Sequence, residues 1–316
     1  MRIFLAGATG ALGSRLVPLL LAAGHEVTGM TRTGAKADGL RAAGATPVVA
    51  DGLDRDAVVA AVTAARPDAV VNQLTSLSDL RDMRDFDGAF ALTNRLRVEG
   101  TEHLLAGARA AGARRLLVQS YAGWTSPRTG GGVKTEDDGL DPRPVASMRA
   151  TLEAMRRMEA LVTGATDLDG IVLRYGGFYG AGTGMAPGGD QVELVRKRRF
   201  PIVGSGDGVW SFIHIDDAAA ATLAALERGA PGIYNVVDDD PAPAREWLPV
   251  LAAAAGAKPP RHVPRWLGRI AAGEAVATLM TDVNGVSNAK ARRELGWAPA
   301  HASWREGFPS VLGSAA

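Results

Sequence analysis

A glycine-rich turn near the start of the chain is the feature that most constrains the fold. The sequence GATGALG, Gly7 to Gly13, directly follows the apolar run Ile3–Ala6 and leads into a stretch of helical spacing that begins near Ala11. Glycines in such a turn let backbone N–H groups approach a pyrophosphate, and the N-terminus of the following helix stabilises its charge. A strand, a glycine turn and a helix in this order predict a dinucleotide-binding site.

Side chains at the ends of the second and third apolar runs refine this prediction. Arg32 follows the run Glu26–Thr31, where NAD-specific proteins usually carry an acidic residue that binds the adenosine ribose. A guanidinium there attracts a 2′-phosphate and favours NADP(H) over NAD(H). The alternative is that Arg32 simply points to solvent, and Lys36 nearby could bind the phosphate instead. Asp51 and Gly52 close the third run. The Asp51 carboxylate is interpreted either as an acceptor for the adenine amino group or as the N-cap of the next helix.

The periodicity of the chain predicts an α/β fold. From Arg2 to Arg174, short apolar runs alternate with longer segments of helical spacing, which is typical of a Rossmann-type, doubly wound parallel sheet. We predict a dinucleotide-binding domain at residues 1–175 and a substrate-binding lobe at residues 176–316, interleaved with the end of the sheet. The predicted strands are Ile3–Ala6, Glu26–Thr31, Pro47–Ala50, Ala69–Asn72, Arg115–Gln119 and Gly170–Leu173, and helices are predicted in the lobe near Asp190–Arg198, Asp216–Arg228 and Arg245–Ala255.

Composition narrows the functional classes. The chain has no cysteine, which excludes disulfides, thiolate nucleophiles and Cys-ligated zinc. Its formal net charge is +1 with acidic and basic residues interspersed, so nucleic acid is not an expected partner. No apolar stretch reaches the length of a membrane span, and we expect a cytoplasmic protein that does not bind membranes. Histidines and carboxylates show no metal-ligand spacing, so no metal site is predicted.

Further motifs follow one another along the chain. They are LLVQSYAG at 116–123, LRYGGFYG at 173–180, FIHIDDAAAA at 212–221, IYNVVDDDP at 233–241 and SNAKARRELGWAP at 287–299, preceded by a helix with Asn94 and Gly100-Thr101. With the glycine turn, these motifs resemble the extended short-chain dehydrogenase/reductase family, the NAD(P)-dependent epimerases and dehydratases, along nearly the whole chain. The resemblance implies a sheet of about seven parallel strands, a C-terminal substrate lobe and commonly a homodimer formed through two helices that flank the sheet.

The resemblance also implies a set of contacts to the bound NADP(H). These contacts come from the glycine turn, from the carboxyl ends of the strands and from the segments that flank the nicotinamide. The predicted residues are Gly7, Thr9, Gly10, Ala11, Leu12, Gly13, Arg32, Asp51, Gly52, Gln73, Leu74, Thr75, Asn94, Gln119, Ser120, Tyr175, Gly176, Gly177 and Phe178.

The catalytic signature of this family is missing. The family carries Tyr-x-x-x-Lys on the helix after the serine strand, and the corresponding segment, Pro144 to Val162, contains neither residue type. A register anchored on Glu159 places Thr151 and Met155 at the two positions, and a shifted register places Ser147 or Met148 at the first. None of these residues carries a phenol. A tyrosine with a lowered pKa beside a lysine is what lets the family exchange a proton with a carbinol oxygen near neutrality, and this chain cannot use that pair.

Other residues are candidates for the chemistry. Tyr121 and Ser120 at the end of the serine strand are predicted to polarise a hydride acceptor, and Lys134, in a glycine-rich loop, to supply the missing positive charge over the pocket. The alternatives are a pocket-lining tyrosine and a solvated lysine. Trp210 stands where enzymes of nucleotide sugars usually carry a diphosphate-binding arginine. It argues for an apolar or aromatic substrate, unless the ring only packs in the core.

The sequence is compatible with three functions. The leading hypothesis is an NADPH-dependent reductase of a small, apolar carbonyl compound or activated double bond, since hydride transfer is the cofactor's own chemistry. The second is an epimerase or dehydratase that uses its bound cofactor transiently. The third is a non-catalytic NADP(H)-binding redox sensor that has lost the catalytic pair.

Overall fold

The structure is a computed structural model that describes residues 1–77 and 83–313. Its strands are β1 (Arg2–Ala6), β2 (Glu26–Thr31), β3 (Thr46–Val49), β4 (Ala69–Asn72), β5 (Arg115–Tyr121), β6 (Asp169–Tyr175), β7 (Gly177–Tyr179), β8 (Ile202–Val203), β9 (Val209–Trp210), β10 (Phe212–His214), β11 (Gly232–Val236), β12 (Ala242–Pro243) and β13 (His262–Val263). Its α-helices are α1 (Gly13–Ala22), α2 (Ala37–Ala42), α3 (Arg55–Ala65), α4 (Phe86–Ala89), α5 (Ala91–Arg95), α6 (Thr101–Ala111), α7 (Arg149–Thr163), α8 (Asp190–Arg196), α9 (Ile215–Arg228), α10 (Ala244–Ala254), α11 (Arg265–Thr281), α12 (Ala289–Leu295) and α13 (Trp304–Gly313).

A seven-stranded parallel sheet forms the centre of the fold. Its strand order is β11-β6-β5-β4-β1-β2-β3. Successive strands are added on one side of β1 up to β3 and on the other side from β4 onward, so the topological switch point lies between β1 and β4. This is the doubly wound Rossmann-type sheet expected from the sequence. The six predicted strands are all present, with β5 and β6 each running two residues beyond the predicted end. The seventh strand, β11, comes from the C-terminal part of the chain.

Two cores cover the faces of this sheet. On one face, α1 and α9 pack over apolar residues of β1, β6 and β11. On the other, residues of α3, α6 and α7 pack over β4 and β5. Because both faces are covered, the central strands β1 and β4 are almost wholly apolar, as the sequence pattern predicted, whereas the edge strand β3 is only partly buried. The polar groups needed for binding are therefore left to the carboxyl ends of the strands.

A further apolar cluster lies in the C-terminal lobe. Its largest buried side chains are Trp247, Trp304, Phe212 and Phe308. Trp210 packs against this cluster, 4.9 Å from the ring of Trp247, and its indole N–H donates to a backbone carbonyl at 2.8 Å. Core packing therefore accounts for Trp210, and its ring does not support the prediction of an apolar substrate. The domain division at residue 175 remains a prediction, since β11 belongs to the sheet.

Within residues 1–77 and 83–313, no helix is both long enough and apolar enough to cross a bilayer.

Candidate cofactor and substrate site

The glycine turn after β1, Gly7 to Gly13, forms a cradle in which backbone segments approach so closely that a side chain would not fit at Gly7 or Gly13. Gly7 has φ +81°, and a Cβ on it would lie 2.6 Å from the carbonyl oxygen of Gln73. A Cβ on Gly13 would lie 2.2 Å from the carbonyl oxygen of Gly7. The first N–H groups of α1 have no intrahelical acceptor and point toward this turn. Gly10 and Ala11 are exposed at its rim, whereas Leu12 is buried beneath it. These residues fit a bound pyrophosphate.

Arg32 lies at the rim of this cradle. The hydroxyl groups of Thr9 and Thr31 lie 3.1 Å apart and join the glycine turn to the end of β2. Arg32, the next residue, is exposed, and within the described residues its guanidinium makes no hydrogen bond or ion pair. A free guanidinium at the end of the strand next to the glycine turn fits the phosphate of an adenosine 2′-phosphate.

The two interpretations of Asp51 are distinguished by the start of α3. The N-cap of that helix is Asp54, whose Oδ1 accepts from the backbone N–H of Ala57 at 3.1 Å. Asp51 instead accepts from the N–H of Leu53 at 2.9 Å and remains exposed. The capping interpretation is therefore wrong, and contact with an adenine amino group stays a prediction. A Cβ on Gly52 would lie 2.7 Å from Leu74 Cδ1, so the two residues pack together.

The end of β4 forms the floor of the site. Asn72 is buried, its Nδ2 donates to Thr101 Oγ1 at 3.0 Å, and its Oδ1 accepts from the N–H of Leu74 at 3.0 Å. Gln73 is also buried, and its Oε1 has no hydrogen-bond partner in the described chain. An unsatisfied buried carbonyl oxygen calls for a ligand or water partner. Leu74 is half-buried and Thr75 exposed, so both can line the cleft as predicted.

The segment after β6 packs closely against the residue that precedes β10. A Cβ on Gly176 would lie 2.7 Å from the carbonyl oxygen of Ser211, and Gly177 donates its N–H to that same oxygen at 2.9 Å. Phe178 is half-buried beside these glycines. The Tyr175 side chain is directed differently: it is 1% exposed, and its hydroxyl lies 2.6 Å from Thr222 Oγ1 in the core. The tyrosine side chain is thus excluded from the predicted cofactor contacts.

The two positions of the missing catalytic pair carry no titratable group. Met155 is buried in the core. Thr151 Oγ1 donates to Asp87 Oδ1 at 2.7 Å and accepts from Asn94 Nδ2 at 3.0 Å, so its hydroxyl is fully used. Asn94, predicted to contact the cofactor, therefore links α5 to α7. Neither position can deliver a proton to a substrate.

Ser120 is turned toward a buried ion pair. Its hydroxyl donates to Glu159 Oε1 at 2.7 Å, and Arg174 donates to both oxygens of the same carboxylate at 2.9 and 2.6 Å. All three side chains are buried. The serine proton is thus committed to Glu159, which corrects the prediction that Ser120 polarises a hydride acceptor. Gln119, the preceding residue, is half-buried and stays a predicted cofactor contact.

Tyr121 is the candidate acid that the geometry retains. It ends β5, its ring is half-buried, and its hydroxyl makes no hydrogen bond within the described residues. Burial raises the pKa of the phenol to about 12. Since this phenol stays protonated at neutral pH, it is suited to donating a hydrogen bond and not to acting as a base.

Lys134 is held in place instead of folding freely over the pocket. Its backbone N–H donates to the carbonyl of Gly285, and its carbonyl accepts from the N–H of Ser287, both at 2.8 Å. The side chain is buried, with Nζ 3.8 Å from Asp138 Oδ1. The predicted mobile lysine is therefore a paired charge in a hydrogen-bonded bridge, because a distant segment of the chain pairs with its backbone.

Arg97 is a candidate site residue that the sequence reasoning missed. It lies on a single π-helical turn, Leu96–Gly100, between α5 and α6, a feature found frequently at functional sites. Its Nη1 donates to Asn94 Oδ1 at 3.1 Å, and its side chain is buried. Desolvation lowers the pKa of this guanidinium to about 10. The signal available in the sequence was a charged residue, Arg97, between Asn94 and Gly100-Thr101 of the family motif.

Two histidines and an aspartate also meet near the lobe. Ligand atoms of His214, Asp217 and His301 lie within 4.8 Å of one another, although no sequence spacing predicted this group. The Asp217 carboxylate already accepts from the N–H groups of Ala300 and His301 and lies 2.9 Å from the ring of His301. The group therefore anchors the C-terminal segment to α9.

The glycine cradle and the buried polar side chains at the carboxyl ends of a Rossmann-type sheet define a dinucleotide-binding α/β protein that lacks the usual catalytic pair. The family described as the NAD dependent epimerase/dehydratase family matches residues 3–236, and the chain belongs to that family. The resemblance drawn from the motifs is thus confirmed.

Individual relatives support the same family. A 3-diazoavenalumate denitrifying reductase from a Streptomyces species is 48% identical over 314 residues, covering 98% of this chain and 99% of that protein. A UDP-glucose 4-epimerase from Mycolicibacterium smegmatis is 27% identical, covering 95% of this chain and 94% of that protein. Among solved structures, a human epimerase family protein with NADPH has a TM-score of 0.75 at 22% identity, and the match covers 99% of each chain. The chain therefore belongs to an enzyme family and is closely similar to a named reductase.

Proposed function

We propose that this protein is an NADPH-dependent reductase that removes the diazo group of a small aromatic compound as N2. One observation carries the proposal: the positions that deliver a proton in the family carry Thr151, whose hydroxyl is fully used, and the buried Met155. The reaction must therefore need no strong acid from the protein. The name of the relative that is 48% identical, a denitrifying reductase of a 3-diazo compound, describes such a reaction.

The proton balance of this reaction fits the site. Reduction of a carbonyl consumes one hydride and one proton. The Tyr-x-x-x-Lys pair normally supplies the proton. An arenediazonium ion consumes a hydride alone: the hydride pair forms the new bond to hydrogen, and the pair of the broken C–N bond leaves with N2. A reduced nicotinamide, when bound, supplies that hydride and is oxidised. The protein needs only to position the substrate.

The residues of this chain would do this by position and by hydrogen bonding. The glycine cradle from Gly7 to Gly13 would bind the pyrophosphate, and Arg32 the adenosine 2′-phosphate. Tyr121, whose hydroxyl is free in the described chain, would donate a hydrogen bond to a substrate oxygen and fix the ring's orientation. The Glu159 carboxylate on α7, bonded to Arg174 on β6 and to Ser120 on β5, would hold both strands against α7 and so position Tyr121.

NADPH preference is the first prediction. Purified protein titrated with NADPH and with NADH, followed by cofactor fluorescence, should bind NADPH more tightly. Arg32→Ala should weaken NADPH binding about 10- to 100-fold and leave NADH binding unchanged, because a charge-assisted hydrogen bond to the phosphate is lost. Arg41→Ala, which removes another exposed arginine, is the control. Equal affinities for the two cofactors in the wild type would contradict the role given to Arg32.

N2 release is the second prediction. With a hydroxybenzenediazonium salt and NADPH deuterated at the transferring carbon, we expect N2 and a deuterated arene in equal amounts, above the rate without protein. Tyr121→Phe should lower kcat/KM about 10-fold at unchanged NADPH affinity, because one hydrogen bond to the substrate is lost. Tyr234→Phe, which removes a hydroxyl bonded to the carbonyl of Ala230, should leave kcat/KM unchanged.

The pH profile adds a further readout to this experiment. Because the pKa of Tyr121 is about 12, the phenol stays protonated and kcat/KM should be flat from about pH 6 to pH 9.

The substrate range separates the alternative functions. Reduction of simple ketones without any diazo turnover would support a carbonyl reductase. NADPH binding without turnover of either class would support the redox sensor.

A further inference from the structure

Arg97 is a buried cation without a buried counter-ion of its own. The side chain is 7% exposed, and within the described residues its single hydrogen bond goes to the neutral carboxamide of Asn94. The Glu159 carboxylate favours the charged form of Arg97, but both of its oxygens accept hydrogen bonds from Arg174. A guanidinium has five N–H donors, so most of this group's binding capacity is unused by the protein.

Burying such a group costs stability. Arginine is rarely buried unless it is paired, because removing its charge from water is unfavourable. The lowered pKa of Arg97, about 10, reports that cost. The nearby Arg174 shows the usual solution, a two-point pair with a carboxylate. Arg97 has no such pair within the described residues, and its presence is explained if a ligand supplies the anion.

A row of aromatic rings connects Arg97 to Tyr121. The guanidinium lies over the ring of Phe90 at 5.9 Å from its centroid, and Phe90 stacks on Phe86 with centroids 4.6 Å apart. Phe86 meets Trp124 edge to face at 5.3 Å, and Trp124 lies 6.2 Å from Tyr121. Phe86 forms the buried base of this aromatic row, whereas Tyr121, Trp124 and Phe90 are half-buried.

The aromatic row and Arg97 together define a ligand chemistry. Half-buried aromatic rings favour a flat aromatic ligand through offset or edge-to-face contacts. A guanidinium with free donors at the end of such a row favours a carboxylate, which it can bind through two parallel hydrogen bonds. The distance between Tyr121 and Arg97 is bridged by three rings, so the ligand's charge would lie well away from its reacting end.

We propose that Arg97 binds the carboxylate of a flat aromatic acid whose ring lies along Tyr121, Trp124 and Phe90. This inference rests on the proposed function in taking the cleft beside Tyr121 as the substrate site, and it adds that the substrate is an anion. Arg97 is then a specificity-determining residue: it selects acids over neutral esters or amides. The ribose of the cofactor is the other group that could accept hydrogen bonds from Arg97. The experiment below distinguishes the substrate carboxylate from the cofactor ribose.

The test measures binding without hydride transfer. Cinnamate and methyl cinnamate are titrated by calorimetry into protein saturated with NADP⁺, using the wild type, Arg97→Met, Arg97→Lys and Arg95→Met. Arg95 lies on the adjoining helix in an exposed pair with Glu99 and is the matched control. We expect the wild type and Arg95→Met to bind the acid at least about 10-fold more tightly than the ester, and Arg97→Met to lose that preference.

Two further measurements separate this role from a structural one. Arg97→Met should keep its affinity for NADPH within about 2-fold and should melt at the same temperature or higher, since a buried unpaired charge is removed. Arg97→Lys should recover part of the preference for the acid. A loss of NADPH affinity with the acid preference intact would assign Arg97 to the cofactor. Equal affinity of the wild type for acid and ester, or binding of neither, would overturn the proposal.

This test is independent of the reductase assay. An inert acid is bound and never reduced, so a failure to release N2 leaves the result for Arg97 standing. Conversely, a wild type that releases N2 but does not discriminate acid from ester would retain the proposed function and lose the proposed role of Arg97.

Discussion

Glu159→Ala is expected to lower the free energy of unfolding by about 3–5 kcal/mol, because it removes one partner of a fully buried ion pair. Arg174 would lose both of its hydrogen bonds to the carboxylate, and Ser120 would lose its acceptor. The variant would also leave the buried guanidinium of Arg174 without an anion and would remove the nearby charge that favours the charged form of Arg97. The measurement is urea unfolding followed by far-UV circular dichroism.

A neighbour on the same helix provides the control. Glu153 pairs with Arg156 one turn away, and its side chain is 66% exposed. Glu153→Ala should change the free energy of unfolding by less than about 1 kcal/mol, because exposed ion pairs contribute little. A double variant, Glu159→Leu with Arg174→Leu, should be less destabilised than Glu159→Ala alone, since the Arg174 guanidinium is no longer left buried without its partner. If Glu159→Ala and Glu153→Ala were equally stable, the hydrogen bonds of Glu159 to Arg174 and Ser120 would not hold β6 and β5 against α7.

Gly13→Ala is expected to abolish measurable NADPH binding. The added Cβ would lie 2.2 Å from the carbonyl oxygen of Gly7 and 2.8 Å from the backbone of Ala8, and no side-chain movement can relieve contacts with backbone. The start of α1 would have to move away from β1, which would displace the N–H groups that approach the pyrophosphate. Cofactor fluorescence titration should show a loss of about 100-fold or more.

Glycines elsewhere show whether this effect is specific. A Cβ on Gly34 or on Gly39 would meet nothing within 4 Å. Gly39→Ala, in α2, should leave NADPH affinity unchanged and stabilise the helix slightly, because alanine has the higher helix propensity. Retention of full NADPH affinity by Gly13→Ala would show that the glycine turn is not the cofactor cradle.

The local signals in the sequence sufficed for the architecture and for the position of the cofactor site. The strands of the sheet are nearly all apolar over four to seven residues, so their existence did not depend on distant contacts. The close approach of Gly7 and Gly13 was likewise foreseen, because only glycine leaves room where a strand turns directly into a helix. Arg32 was correctly placed at the rim of that turn, and its partner remains a prediction.

The direction of individual side chains was not predictable in the same way. Ser120 and Tyr121 are adjacent on β5, and strand alternation sends their side chains to opposite faces. Which face carried the buried carboxylate of Glu159 depended on how α7 packs against the sheet. The sequence therefore assigned a polarising role to Ser120, and its hydrogen bond to Glu159 was visible only in the folded chain.

The sequence by itself determined the class of fold, the glycine cradle at its first crossover and the absence of a tyrosine and lysine from α7. These properties depend on residue type and on near neighbours along the chain. The tertiary structure decided that the backbone of Lys134 is bonded to Gly285 and Ser287, and that Arg97 ends a row of aromatic rings that reaches Tyr121. Those partners lie on separate elements whose relative positions are set by packing of the whole core, and no local pattern in the sequence specifies them.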